Sequence, residues 1–426
     1  MNLRTFTHFV QRTRARPILR SVSYSAAPKT SDPLRILFCG SDEFSCFSLQ
    51  ALHEEHKQNA NLIRSIDVIV RPSKPTGRGY KVLSEVPLRT LADKLSLPVH
   101  VRDTFTGWDM PQPDGHPINL IIAVSFGLFV PPRLLSAAKY GGLNVHPSLL
   151  PDLRGPAPLH HALLNSYTHT GVTIQTLSPQ NFDAGAILLQ TPPPGIPIPP
   201  SCTVAQLHDM LAPRGAAMLV DALRKGLHVP PHPPTLSGPL PDGHVGGTAG
   251  RELAEEERGG ETRVLRHAPK ITPWDRQVLW IGGGGSVRAR NVALRGRVLG
   301  PLWTHIVLRS GSGRRHSESE GGGSVEGERL VKRAILEDLS VVETQGAAGE
   351  MLTNGRLPRG TVTWVQKSGK EDGQRGDQEI KAEYQLDGTG VVVHLSDGSL
   401  LRIGKIKVEG STSKPARHVL ESIGSK

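Results

Sequence analysis

"INLIIAV", residues 118–124, decides the fold. Apolar residues run almost unbroken through it, and Ser125, Phe126 and Gly127 then signal a turn. A strand buried on both faces needs that pattern, and such strands belong to parallel sheets. On its N-terminal side, "LRILFC" (34–39) reads as a first buried strand, with Gly40 where strand turns into helix. "FSLQALHEE" (47–55) has helical spacing, "SIDVIVRP" (65–72) reads as a second strand, and "LRTLADKLSLPVHV" (88–101) as a helix running into a third. On the C-terminal side, "GVTIQTL" (171–177) is a further strand, and "SPQNFDAGAILLQ" (178–190) is a turn followed by another. "TVAQLHDMLAPRGAAMLVDALRKG" (203–226) reads as a helix pair broken at Pro213. Strands alternating with helices predict an α/β, Rossmann-like open sheet of parallel type. In such sheets, reactive groups gather at the carboxyl ends of the strands.

Beyond residue 228 the composition changes. "HVPPHPPTLSGPLPDG" (228–243) is proline-rich, and "TAGRELAEEERGGE" (248–261) is a charged stretch, helical or disordered. Short β-like runs follow, "GTVTWVQ" (360–366) and "VVVHLSDGSLLRIGKIKV" (391–408), which predict a smaller β-barrel (OB-like) domain. A Gly/Ser-rich insert at about 309–327 reads as a disordered loop. The expected organisation is a leader at 1–31, a catalytic domain at 34–228, a linker at 229–262 and a barrel domain at 263–426.

The 426 residues carry 37% hydrophobic content and no apolar run long enough to cross a membrane as a helix. Three cysteines, Cys39, Cys46 and Cys202, match neither a zinc site nor a disulfide framework, as in a reducing compartment. The first 31 residues hold Arg4, Arg12, Arg14, Arg16, Arg20 and Lys29 with no acidic residue. That is the composition of a mitochondrial transit peptide. Removing its six positive charges takes the formal net charge from +11 to +5, which still permits an RNA partner.

In "LNVHPSLLPDLRGPAP" (143–158), Leu143 and Val145 point to one side of an extended chain, so Asn144 and His146 point to the other. Asp183, in the turn after "GVTIQTL", is a third candidate, and Gly185 lets the backbone bend tightly behind it. Together these three suit acyl-type transfer to an amine. Asn144 can donate to a developing oxyanion, His146 can exchange a proton, and Asp183 can orient the imidazole. No serine or cysteine is placed as a nucleophile, so direct attack by the amine is the simpler route. By residue chemistry alone, Asn-x-His also serves as turn capping and Asp-Ala-Gly as an ordinary turn.

The wider context separates these readings. "NVHPSLLPDLRGPAP" with downstream "FDAG" resembles the formyltransferase family that uses 10-formyltetrahydrofolate. "RILFCGSDEFS" (35–45), "VSFGLFVP" (124–131), "RPSKPTGRGYKVLSEVP" (71–87) and "HAPKITPWDRQVLW" (267–280) are similar to the branch whose acceptor is a methionyl-initiator tRNA. The resemblance covers roughly residues 34–308 well and the remainder loosely. It implies catalytic roles for Asn144, His146 and Asp183, and folate contact for Ser148, Leu149, Leu150 and Pro151. It implies tRNA contact for Lys74, Arg78 and Lys81 in a basic glycine-containing loop. It further implies 10-formyltetrahydrofolate as formyl-donor co-substrate, no metal, no membrane, a monomer, and the mitochondrial matrix.

Some residues stand outside that core pattern. Pro147 takes a position commonly glycine in the bacterial members, which stiffens the turn. Arg154 reaches a phosphate, caps the site, or ties the turn to its neighbours. His160 and His161 face different directions on a helix, against a metal site, and Trp303 reads as core. Arg402, Lys405, Lys407, Lys414 and Arg417 supply backbone contacts to RNA. The rival within the fold is a glycinamide ribonucleotide formyltransferase, but Asp42 and Glu43 in "GSDEFS" would repel its substrate's phosphate. The rival from another class is a non-catalytic RNA-binding factor on the same fold.

Overall fold

The computed structural model describes residues 29–73, 75–76, 82–83, 85–233, 252–258, 261–282, 285–309, 329–343, 359–367, 377–388 and 390–424. The expected tRNA contacts Lys74, Arg78 and Lys81 lie outside the described residues, as do nearly all of the leader and of the 309–327 insert.

The first half is a seven-stranded sheet. Its elements are β1 (Leu34–Gly40), α1 (Glu43–Gln58), β2 (Ile63–Val70), α2 (Pro87–Lys94), β3 (Val99–Val101) and β4 (Leu120–Val124). Then come α3 (Pro132–Ala137), β5 (Gly142–His146), α4 (Pro158–Leu164), β6 (Thr173–Thr176), β7 (Ile187–Gln190) and α5 (Val204–Arg224). The strand order is β7-β6-β5-β4-β1-β2-β3. β3, β2, β1, β4 and β5 run parallel, while β6 and β7 are antiparallel additions. β4, the "INLIIAV" strand, stands at the centre as its composition requires.

Alternation along the strands sorts side chains into two cores. Ile36, Phe38, Leu120, Ile122, Leu143 and Val145 pack into the larger. Leu37, Cys39, Ile121 and Ala123 pack on the opposite face, against Leu134 and Leu135 of α3. Asn144 belongs to that second face.

Two sequence expectations are corrected here. Residues 203–226 form one helix rather than a pair: α5 runs through Pro213. A capping box from Thr203 and Gln206 and a buried stripe including Leu207, Leu211, Leu219 and Leu223 offset the lost hydrogen bond. Within the charged stretch, the described residues are strands rather than a helix or a disordered run: Glu252–Arg258 pairs with Glu261–Arg266 in antiparallel fashion. β-branched Thr262 and Val264 favour that pairing over a helix.

The second half closes as predicted into a barrel. α6 (Ala289–Leu299) precedes β8 (Leu302–Arg309), β9 (Arg329–Val342), β10 (Arg359–Gln366), β11 (Gln378–Asp387), β12 (Gly390–His394) and β13 (Leu400–Val408), and α7 (Ala416–Gly424) ends the described chain. Successive antiparallel pairings return β10 to β8, closing six strands. Trp364 is fully buried in the barrel and stacks on Trp280 at 4.8 Å. Trp303 is core, its Nε1 donating to the Pro273 carbonyl at 2.9 Å.

Lys29 and Ser31, placed in the leader by sequence, are bonded to the far end of the first half. Lys29 Nζ donates to the carbonyls of Val229 and Pro231, and Ser31 Oγ pairs with His228 Nε2 at 2.8 Å.

Candidate active site

Asn144 and His146 stand at the carboxyl end of β5. Register fixes their neighbours: Asn144 lies opposite Ala123 of β4 on one side and opposite Gln175 of β6 on the other. Asn144 Nδ2 donates to the Ala123 carbonyl at 3.1 Å. A carboxamide has two N–H groups, so one remains for a ligand. His146 is buried, with Nδ1 3.4 Å from Asp183 Oδ1 and Nε2 3.0 Å from the Leu153 carbonyl.

Asp183 arrives from the turn between β6 and β7 with φ +52°. The chain doubles back so closely that a Cβ on Gly185 would sit 1.7 Å from the Thr176 carbonyl oxygen. Glycine is therefore required behind the carboxylate. Asp183 Oδ2 accepts from the Gly155 N–H at 2.9 Å. The three sequence candidates thus converge, and Pro147 leaves the opposed side-chain directions intact.

Gln175, which sequence reading passed over, holds the cluster together. Only 1% exposed, its Nε2 donates to Asp183 Oδ1 at 3.2 Å and to Asn144 Oδ1 at 3.4 Å. Its Oε1 accepts from the Gly185 N–H at 3.3 Å. The available signal was a polar residue inside the "GVTIQTL" strand on the face Asn144 occupies.

The other candidates are placed as follows. Ser148 and Leu150 are buried: Ser148 Oγ donates to the Asp152 carbonyl, and the Leu150 N–H donates to Thr173 Oγ1. Leu149 and Pro151 keep part of their surface open. Phe182, beside Asp183, is 60% exposed and meets Phe129 edge-on at 5.2 Å, an apolar rim absent from the sequence reading. Arg154 turns inward, where burial lowers its pKa and the Asp183 charge opposes that shift. His161 is buried, its Nε2 3.0 Å from the Pro269 carbonyl. Arg402, Lys405 and Arg417 pair with Asp387, Asp338 and Glu421, while Lys407 and Lys414 are exposed.

A cavity of about 670 Å³ opens at the carboxyl ends of β1, β2 and β4, lined in part by Asp42, Glu43, Arg71, Glu85, Ser125 and His208. Ser125, two residues beyond the Ala123 that pairs with Asn144, is part of the cavity's lining, whereas Asn144, His146 and Asp183 are not. Three carboxylates give it acidic character.

Residues 34–223 match the family model described as formyl transferase. A mitochondrial methionyl-tRNA formyltransferase of Saccharomyces cerevisiae is 40% identical over 48% of this chain and 56% of its own length. A methionyl-tRNA formyltransferase of Ehrlichia chaffeensis is 37% identical over 46% of this chain and 63% of its own. The human mitochondrial one is 37% identical, covering 45% of each chain. The matches thus span 45–63% of these relatives' lengths. Through residues 34–223, the chain is similar to the formyl transferase family.

Proposed function

We propose that this protein transfers the formyl group of 10-formyltetrahydrofolate to the α-amine of methionine carried by initiator tRNA. The observation that carries this reading is the meeting of Asn144, His146 and Asp183 around Gln175 at one sheet edge. The methionyl-tRNA formyltransferase names of its relatives support the acceptor. The basic leader and the mitochondrial relatives support a site of action in the mitochondrial matrix.

The amine nitrogen attacks the formyl carbon, and the C=O electron pair moves onto oxygen. The second N–H of Asn144 donates to that oxyanion, a contribution of about 2.7–4 kcal/mol for one such donor elsewhere. His146, donating from Nε2 to Leu153, leaves Nδ1 to take the ammonium proton, and Asp183 then stabilises the cation. Collapse of the tetrahedral species breaks the bond to folate N10, which accepts the proton as it leaves. The three carboxylates around the cavity at the carboxyl ends of β1, β2 and β4 repel a phosphate, which weighs against a glycinamide ribonucleotide acceptor. The Phe129–Phe182 rim offers an apolar contact for the folate ring, with Leu149 and Pro151 the open part of the predicted folate turn. Lys74, Arg78 and Lys81 are assigned to the tRNA backbone, and the protein acts as a monomer.

The test is transfer of labelled formyl from 10-formyltetrahydrofolate to methionyl-initiator tRNA by the purified chain. Product no greater than that of a His146→Ala control refutes the proposal. Asn144→Ala is expected to lower kcat about 10²–10³-fold with tRNA affinity retained. Binding without transfer in the wild type would instead establish the RNA-binding factor.

A further inference from the structure

The loop 152–157 touches both reactive side chains from below. The Leu153 carbonyl faces His146 Nε2 at 3.0 Å, and the Gly155 N–H donates to Asp183 Oδ2 at 2.9 Å. Its other edge is laced to a segment 110 residues further along the chain by backbone bonds. The Leu153 N–H donates to the Arg266 carbonyl at 2.8 Å, and the Ala268 N–H donates to the Arg154 carbonyl at 2.7 Å. The Ala157 N–H donates to the Ala268 carbonyl at 3.2 Å, and Arg154 and His267 form a parallel bridge. Asp152, 2% exposed, adds a side-chain tie by accepting from the Arg266 N–H at 2.9 Å.

There is no slack at the centre of this seam. Gly155 has φ +119°, and a Cβ on it would lie 2.6 Å from the Ala268 carbonyl oxygen and 2.9 Å from His267 Nε2. Any movement of residues 266–268 is passed directly to the amide that holds Asp183 and the carbonyl that faces His146.

We propose that residues 266–268, at the entry to the second half of the chain, clamp the loop 152–157 and so position His146 and Asp183, with His267 as the positioning side chain. The inference rests on the reading of these two residues as transfer machinery. A neutral imidazole carries one N–H, and which nitrogen holds it is set by the partner of the other. Both ring nitrogens face acceptors. The nearer one, the Leu153 carbonyl held by Arg266, lies at 3.0 Å against 3.4 Å for Asp183 Oδ1, so it draws the N–H to Nε2 and leaves Nδ1 toward Asp183. The barrel domain is thereby coupled to the catalytic edge as well as carrying its own surface. A change in its seating on an RNA would be felt at His146.

The experiment uses the full chain with Gly155→Ala, whose methyl group pushes the clamp away, and His267→Ala, which removes the wedge without a clash. His267→Gln, which restores a side chain with a polar tip, is the rescue. Ring ¹⁵N resonances of His146, identified by difference from a His146→Gln sample, report the tautomer without any substrate. Formyl-transfer kinetics report kcat and KM separately. Expected for Gly155→Ala are loss of the single Nε2–H tautomer and a kcat lower by about 30-fold or more, with KM for both substrates within about threefold. Expected for His267→Ala is a fall in kcat of about fivefold, partly recovered in His267→Gln.

A folded Gly155→Ala protein with wild-type kcat and an unchanged His146 tautomer would overturn the clamp. Should that variant not fold, His267→Ala decides by the same two readouts. If the wild type transfers no formyl group, the proposed function fails, while the tautomer measurement still tests the clamp by itself.

Discussion

Replacing Gln175 probes the least visible part of the site, because one buried carboxamide serves three groups at once. Gln175→Ala removes two donated hydrogen bonds, each worth about 0.5–1.5 kcal/mol net. It also leaves the Gly185 N–H without its acceptor, a desolvation cost of about 1–3 kcal/mol. The summed loss of stability is about 2–4 kcal/mol, since the Gly185 amide can recover part of its solvation on relaxing. The kinetic loss follows from position: a reacting group misplaced by about 1 Å forfeits about 10²-fold in rate. Gln175→Glu sharpens the test. It keeps the side-chain size and the acceptor for Gly185, but it replaces the donor with a second carboxylate facing Asp183. Two charges about 4 Å apart at an effective dielectric of about 20 repel by about 4 kcal/mol. The pair relieves that repulsion by binding a proton, so transfer is lost at neutral pH and partly regained on acidification. Single-turnover formyl transfer, with thermal unfolding followed by circular dichroism on the same samples, measures both effects. A folded Gln175→Ala protein turning over within threefold of wild type would show that the carboxamide does not position the site.

Two further outcomes concern stability. Gly185→Ala would drive a methyl group into the Thr176 carbonyl, unpairing β6 from β7 at a cost of about 3 kcal/mol or more, read from the urea midpoint. His228 is fully buried beside Ser31, and burial pushes its pKa down from 6.5 to about 4. Its folded-state pKa is depressed, so its contribution is fully present above pH 6.5 and is lost as pH falls toward 4. That amounts to about 3 kcal/mol, and a His228→Phe variant should show a shallower acid limb in stability from pH 7 to 4. An unchanged acid limb would refute the assignment.

The legible features were those written in local pattern. "INLIIAV" declared a doubly covered strand because every neighbour in that run needs burial. The opposed directions of Asn144 and Val145 followed from strand geometry alone. Pro213 breaks the helix on local grounds for the same reason: it lacks one N–H, while the long apolar stripe of α5 that overrides this is a tertiary gain. The glutamate run at 255–257 is ambiguous by itself because its partner strand contributes half of the pairing.

What the sequence determined by itself was the layering of the sheet, the barrel that follows it, and the placing of Asn144 and His146 on one side of a strand end, because each depends on period and residue type over a few neighbours. Only the tertiary structure decided that Gln175 lies across from Asn144, that Ser148 and Leu150 face the interior, and that Arg266 and Ala268 hold the loop beneath His146. Those are contacts between segments from about 30 to about 115 residues apart, set by strand register and by the closure of one half on the other. No local pattern carries that information.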